Sequence, residues 1–146
     1  MKRLSVAALS LLAALSSLAS ACQDAGCDTS PDANPPADFA AGTTYSTPSG
    51  KVYETSAPNG EHIHFTGGAQ VRVHHGLGGR PVSIQLWVSF AETGTGAGNE
   101  AMPAGNMAEI LCVTSDFILV RNNGCGDYWL RVVAKDPVDD PAATCN

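Results

Sequence analysis

Nine consecutive residues narrow the folds open to this chain more than any other feature: Val82-Ser83-Ile84-Gln85-Leu86-Trp87-Val88-Ser89-Phe90. Val82, Ile84, Leu86, Val88 and Phe90 share one parity, while Ser83, Gln85, Trp87 and Ser89 share the other. Alternation with period two describes a strand with one face on a core and the other on something wetter. Pro81 stands just ahead, at a strand's first position, where its missing N–H is tolerated. Asp127 to Lys135 repeats the pattern, with Tyr128, Leu130, Val132 and Ala134 opposite Trp129, Arg131, Val133 and Lys135.

Shorter strands are expected around these two. Ile110 to Val113 and Phe117 to Arg121 flank Thr114-Ser115-Asp116 as a hairpin. Asn122-Asn123-Gly124 is a strong turn into the Asp127 strand. Glu61 to Thr66 and Gln70 to His75 flank Gly67-Gly68 as a second hairpin, and Lys51 to Thr55 adds one more strand. No stretch of this region carries a helical period. The expectation is an all-β fold: a small antiparallel β-sandwich of six or seven strands over residues 45–137, with a small barrel as the alternative.

The amino terminus has a different character. Lys2 and Arg3 precede an apolar run from Leu4 to Leu18, and Ala19, Ser20 and Ala21 lead into Cys22. This is the layout of an export signal over residues 1–21, shorter than the ~20 apolar residues a membrane span requires. Leu18-Ala19-Ser20-Ala21-Cys22 resembles the bacterial lipobox, whose cysteine becomes the acylated first residue. It departs from the commonest form in having Ala19 where leucine usually stands, and the same residues fit an ordinary Ala-x-Ala cut. Membership of the bacterial lipoproteins implies lipidation of Cys22. Gln23, in place of the aspartate that retains such proteins at the inner membrane, implies the outer membrane.

Cysteine arithmetic agrees with acylation. With Cys22 lipidated, Cys27, Cys112, Cys125 and Cys145 form an even set for two disulfides in an oxidising compartment. Three connectivities are open. Cys112 and Cys125 lie one hairpin apart, which favours that pair and leaves Cys27 with Cys145.

Gln23 to Thr44 is rich in Asp, Ala, Pro and Thr, so residues 22–44 are expected to form a flexible acidic tether with a coil span on the order of 25 Å. Residues 138–146 form a tail. The whole chain carries a formal charge of −6, with 14 acidic residues against 8 basic ones. Residues 51–135 hold 7 acids and 6 bases, so the excess acid belongs to tether and tail. A near-neutral body between acidic ends argues against nucleic acid or anionic lipid as its partner.

All four histidines, His62, His64, His74 and His75, fall within fourteen residues. Under a hairpin centred on Gly67-Gly68, His62, His64 and His75 reach one face and could hold zinc or copper. The plainer reading is that they are polar strand residues. His75-Gly76-Leu77-Gly78-Gly79-Arg80-Pro81 also resembles the His-x-Leu-Gly-x-x-Pro turn of β-sandwich domains in phage tail fibres and related surface proteins. That resemblance implies a binding or assembly module and brings no catalytic residue with it. Physically, the glycines supply positive φ, Leu77 caps the core and His75 is a hydrogen-bonding turn residue.

Motifs for catalysis are missing: there is no Gly-x-Ser-x-Gly elbow, phosphate-cradling loop or His-Glu-x-x-His. The carboxylates are scattered, and a small hydrolase would require a concave site that gathers them or a histidine. Trp87 and Trp129 offer flat apolar surface for a protein or carbohydrate ligand, unless they only cover an edge or pack under a loop. The Gly-rich loop Glu92 to Asn106 offers variable contact surface. The expectation is a lipid-anchored envelope protein, non-catalytic, that binds or assembles with a partner. Its alternatives are a zinc or copper protein and a small hydrolase.

Overall fold

The computed structural model describes residues 27–94, 100–139 and Cys145; the signal segment and Cys22 lie outside them. Nine strands follow in chain order: β1 (Ala37–Phe39), β2 (Thr43–Thr47), β3 (Gly50–Glu54), β4 (Ile63–Phe65), β5 (Gln70–His74), β6 (Arg80–Ser89), β7 (Glu109–Val113), β8 (Phe117–Arg121) and β9 (Tyr128–Val138). No helix occurs among the described residues. The strands form two sheets, as a β-sandwich requires.

The smaller sheet runs β1-β5-β8-β7, antiparallel except for the parallel β1–β5 pair. The larger is built on β9, whose eleven residues pair with β6 along one flank. Its other flank is shared end to end: β3 takes Val133 to Lys135 and β4 takes Tyr128 to Leu130, with β2 outside β3. The chain between β3 and β4 therefore makes its excursion beside the middle of β9.

Parity decides the packing. Leu86 and Val88 of β6, Leu130, Val132 and Ala134 of β9, Phe65 and Tyr53 turn inward. They meet Val71, Val73, Ile118 and Val120 of the smaller sheet. Val82 and Phe90, which the alternation also assigns to the core, are 59% and 74% exposed, because the inner layer ends before the ends of β6.

The turn from His75 to Pro81 works as its residue types suggest. Gly76 and Gly78 have φ of 57° and 83°, a region costly for residues with a Cβ. Leu77 is 1% exposed, and its N–H donates to His75 Nδ1 at 3.2 Å.

Three expectations need correction. Residues from Cys27 onward are part of the sandwich rather than a free tether. Asp28 and Ser30 shape a turn, Gln70 Nε2 donates to Asn34 O at 2.9 Å, and β1 and β2 join the sheets. Backbone pairing and a disulfide stabilise this stretch where its poverty in apolar side chains would not. Secondly, β4 and β5 do not pair. Gly67-Gly68 carries the chain from one sheet to the other, and Gly68 N–H donates to Asn122 O at 3.0 Å. Thirdly, the disulfides are Cys27–Cys125 and Cys112–Cys145, with Cα separations of 5.2 and 5.4 Å. Cys112 and Cys125 lie close in sequence, but β8 intervenes and Cys125 falls in the connection that carries the chain to β9 of the other sheet.

Candidate functional site

The outward face of the larger sheet gathers the polar and aromatic side chains that the core excludes. Arg131, on the outward parity of β9, is at its centre with a side chain only 8% exposed. Its Nε donates to Ser56 O at 2.8 Å, Nη1 to Glu100 Oε2 at 3.2 Å and Nη2 to Glu54 Oε2 at 3.4 Å. Tyr45 donates its hydroxyl to Glu54 Oε1 at 2.7 Å, extending the network to β2. A guanidinium removed from water in this way needs such a set of acceptors to offset its desolvation.

His62 is the second hub. Its side chain is wholly shielded, with Nδ1 2.8 Å from Ser56 Oγ and Nε2 2.8 Å from Glu100 Oε1. The second contact is short but poorly aligned for a hydrogen bond, so its character is chiefly Coulombic. Burial pushes the imidazole's pKa down, and Glu100 only partly opposes that. Gly94, at φ 61°, closes over the pair; a Cβ there would lie 2.8 Å from His62 Nε2 and 2.9 Å from Glu100 Cγ. Beside the network is a cavity of about 280 Å³ bordered by Phe39, Ala41, Thr55, Glu61 and His62.

Both tryptophans lie on this face. Register pairs Trp87 with Arg131 and Ser89 with Trp129, so the indoles are diagonal neighbours on adjacent strands. Each is half-buried. His64, opposite Trp129 on β4, stacks on its indole with 4.7 Å between centroids and 30° between planes. The loop after β6 returns along the free edge, where Val88 and Ala101 exchange backbone hydrogen bonds at 2.9 Å.

The histidine cluster of the zinc or copper alternative does not assemble. His62 is committed to Ser56 and Glu100, and His64 to Trp129. His75 is between the sheets, 1% exposed, with Nε2 3.3 Å from Thr114 O. Without the β4–β5 hairpin nothing brings the three rings together, and no group of three or more His, Cys, Asp or Glu among the described residues could hold a metal. His74 lies outside that set, on the smaller sheet's outward face between Asp38 and Asp116.

Ser56, Glu100, Arg131 and Glu54 were not among the candidates read from sequence. Two signals did exist: Arg131 interrupts an otherwise neutral stretch of β9, and Glu100 is charged within a Gly-rich loop. Comparison of the chain with protein-family models, with curated proteins and with solved structures finds no match.

Proposed function

We propose that this chain is a lipid-anchored envelope protein whose β-sandwich binds or assembles with a partner without catalysing a reaction. The observation that carries the binding reading is the convergence of Trp87 and Trp129 on one outward sheet face, around a network that fixes the surrounding polar groups. Rigid, half-buried indoles give large contact area at low entropic cost, which suits a protein or carbohydrate ligand. Anchoring draws support from the cysteines: Cys27–Cys125 and Cys112–Cys145 account for four of the five, leaving Cys22 as the odd one. By the same reading the location is the outer membrane.

Photoreactive residues at Gln85, on the tryptophan face, and at Arg72, on the smaller sheet, test the binding surface in intact cells. A discrete adduct from position 85 and none from 72 is expected; equal yields from both would remove the assignment. Replacing Cys22 with Ala and following detergent partitioning tests the anchor, which fails if the variant still enters the detergent phase.

One arrangement favours a second reading, a small hydrolase. Ser56 Oγ, His62 and Glu100 form a hydroxyl–imidazole–carboxylate series like that which activates a nucleophile. Arg131, however, draws on the same carboxylate, and the imidazole is closed off beneath Gly94. Covalent labelling of Ser56 by a fluorophosphonate would establish the hydrolase; a folded protein that stays unlabelled rules it out.

A further inference from the structure

We infer that the sandwich stands end-on against a lipid surface of zwitterionic headgroups, with its Cys125–Phe90 pole down and its Leu77–Gly79 pole pointing away. The inference rests on the acylation of Cys22 proposed above. Cys27 is already fixed to the fold through Cys125, 98 positions further along the chain. Five peptide steps separate Cys22 from Cys27. Even fully extended, they reach at most ~18 Å. The anchor therefore meets the domain at one defined end, not through a long free linker.

That end is built continuously outward from the disulfide. Gly126 packs against the ring of Tyr128, which meets Phe90 edge-on with 5.5 Å between centroids. Phe90 is 74% exposed, the most exposed large apolar side chain described. On a free domain it only orders water; at an acyl–headgroup boundary its ring is favourably placed.

Asp28, Asp32 and Asp127 are exposed around the same pole. Arg121, at the end of β8, is paired with Glu109 at 2.8 Å. An acidic rim disfavours anionic headgroups and leaves zwitterionic ones as the match. Eleven residues of β9 separate the poles, roughly 35 Å at the usual strand rise. The Leu77–Gly79 turn is therefore well clear of the surface, and Trp129, next to Tyr128, belongs to the membrane-proximal half.

The test uses the full, acylated protein, isotope-labelled and inserted in phosphatidylcholine nanodiscs that include a gadolinium-chelating lipid. Amide signals of Gly67, Gly124, Gly126 and Phe90 are expected to lose several-fold more intensity than those of Leu77, Gly78 and Gly79. The mass of the N-terminal peptide reports acylation independently, so an unmodified Cys22 sinks the anchor itself. An acylated protein attenuated equally at both poles, or more at Leu77–Gly79, overturns the orientation. Phe90→Ser should reduce attenuation around Tyr128 while leaving the fold's spectrum intact; unchanged attenuation there would remove Phe90 from the contact.

Discussion

His62 Nε2 stands 2.8 Å from Glu100 Oε1, yet burial rather than that carboxylate sets the charge of the imidazole. Its folded-state pKa lies below 6.5, and that of His75 is lowered for the same first reason. Above the unfolded value both forms are neutral and neither histidine's titration affects stability. As the pH falls below 6.5, the unfolded chain takes up protons that the folded chain refuses, so stability is lost on acidification. Each histidine can contribute up to about 1.4 kcal/mol per pH unit in that window. Urea midpoints should fall between pH 7.5 and 5.5, and the fall should be shallower in a His75→Gln variant. A midpoint unchanged over that range would contradict the burial assigned to both rings.

Arg131 ties β9 to two other stretches of chain, residues 54–56 and the loop that carries Glu100. Ser56 lies between β3 and β4, Glu54 ends β3, and Glu100 comes from the loop after β6. Truncation to Ala leaves the Glu54 and Glu100 carboxylates, 21% and 14% exposed, without their cation. Losing one partner of a buried ion pair costs about 3 kcal/mol or more. Glu100→Gln, which keeps a hydrogen-bond acceptor, should cost clearly less. Chemical denaturation of the two variants measures the difference, and an Arg131→Ala protein as stable as the parent would show that water already reaches this network.

The legible parts of this fold were those with local causes. β6 and β9 each have one buried face, so residue parity alone announced them. Likewise, β7 and β8 are joined by a turn whose Thr114 hydroxyl takes the Phe117 N–H at 2.9 Å, an interaction between near neighbours. Gly67-Gly68 misled for a definite reason: a turn signal reports that the chain changes direction, not which sheet the next strand joins. The network was hidden because its members come together only in the folded chain, with Ser56 and Arg131 lying 75 positions apart. Apolar content alone predicts a free tether over residues 22–44, and no count of apolar residues registers a parallel ladder or a disulfide.

Asn122 decides where that crossover goes. It is fully buried, with Nδ2 3.0 Å from Phe65 O, 3.0 Å from Thr66 O and 2.8 Å from Gly126 O. Its Oδ1 accepts the Gly124 N–H at 3.0 Å. The one amide thus joins the end of β4 to the approach to β9. Asn122→Ala removes these bonds; Thr66 O keeps the Ala69 N–H at 3.0 Å, and each group left unsatisfied costs about 1–3 kcal/mol. Asn122→Asp should be worse than Ala, since a carboxylate cannot donate to three carbonyls and would be buried without a cation. Thermal melts of both variants give the order, and an Asp variant more stable than the Ala one would refute this account of the side chain.

The two disulfides should contribute unequally. Cys27–Cys125 closes a stretch of 98 positions, whereas Cys112–Cys145 closes 33. A cross-link stabilises chiefly by restricting the unfolded chain, and the restriction grows with the logarithm of loop length. On that scaling the longer bridge is worth about 1 kcal/mol more. It also holds the Cys27–Asn34 turn against β5, so its loss frees native structure as well as the unfolded chain. Paired Cys→Ser variants should rank accordingly in urea, with Cys27/Cys125 the weaker protein. Peptide mapping without reductant must first recover the 27–125 and 112–145 pairs from the parent protein. If the Cys112/Cys145 variant proves the less stable, that bridge must hold native structure that a loop-length argument leaves out, with β7 as the first place to look.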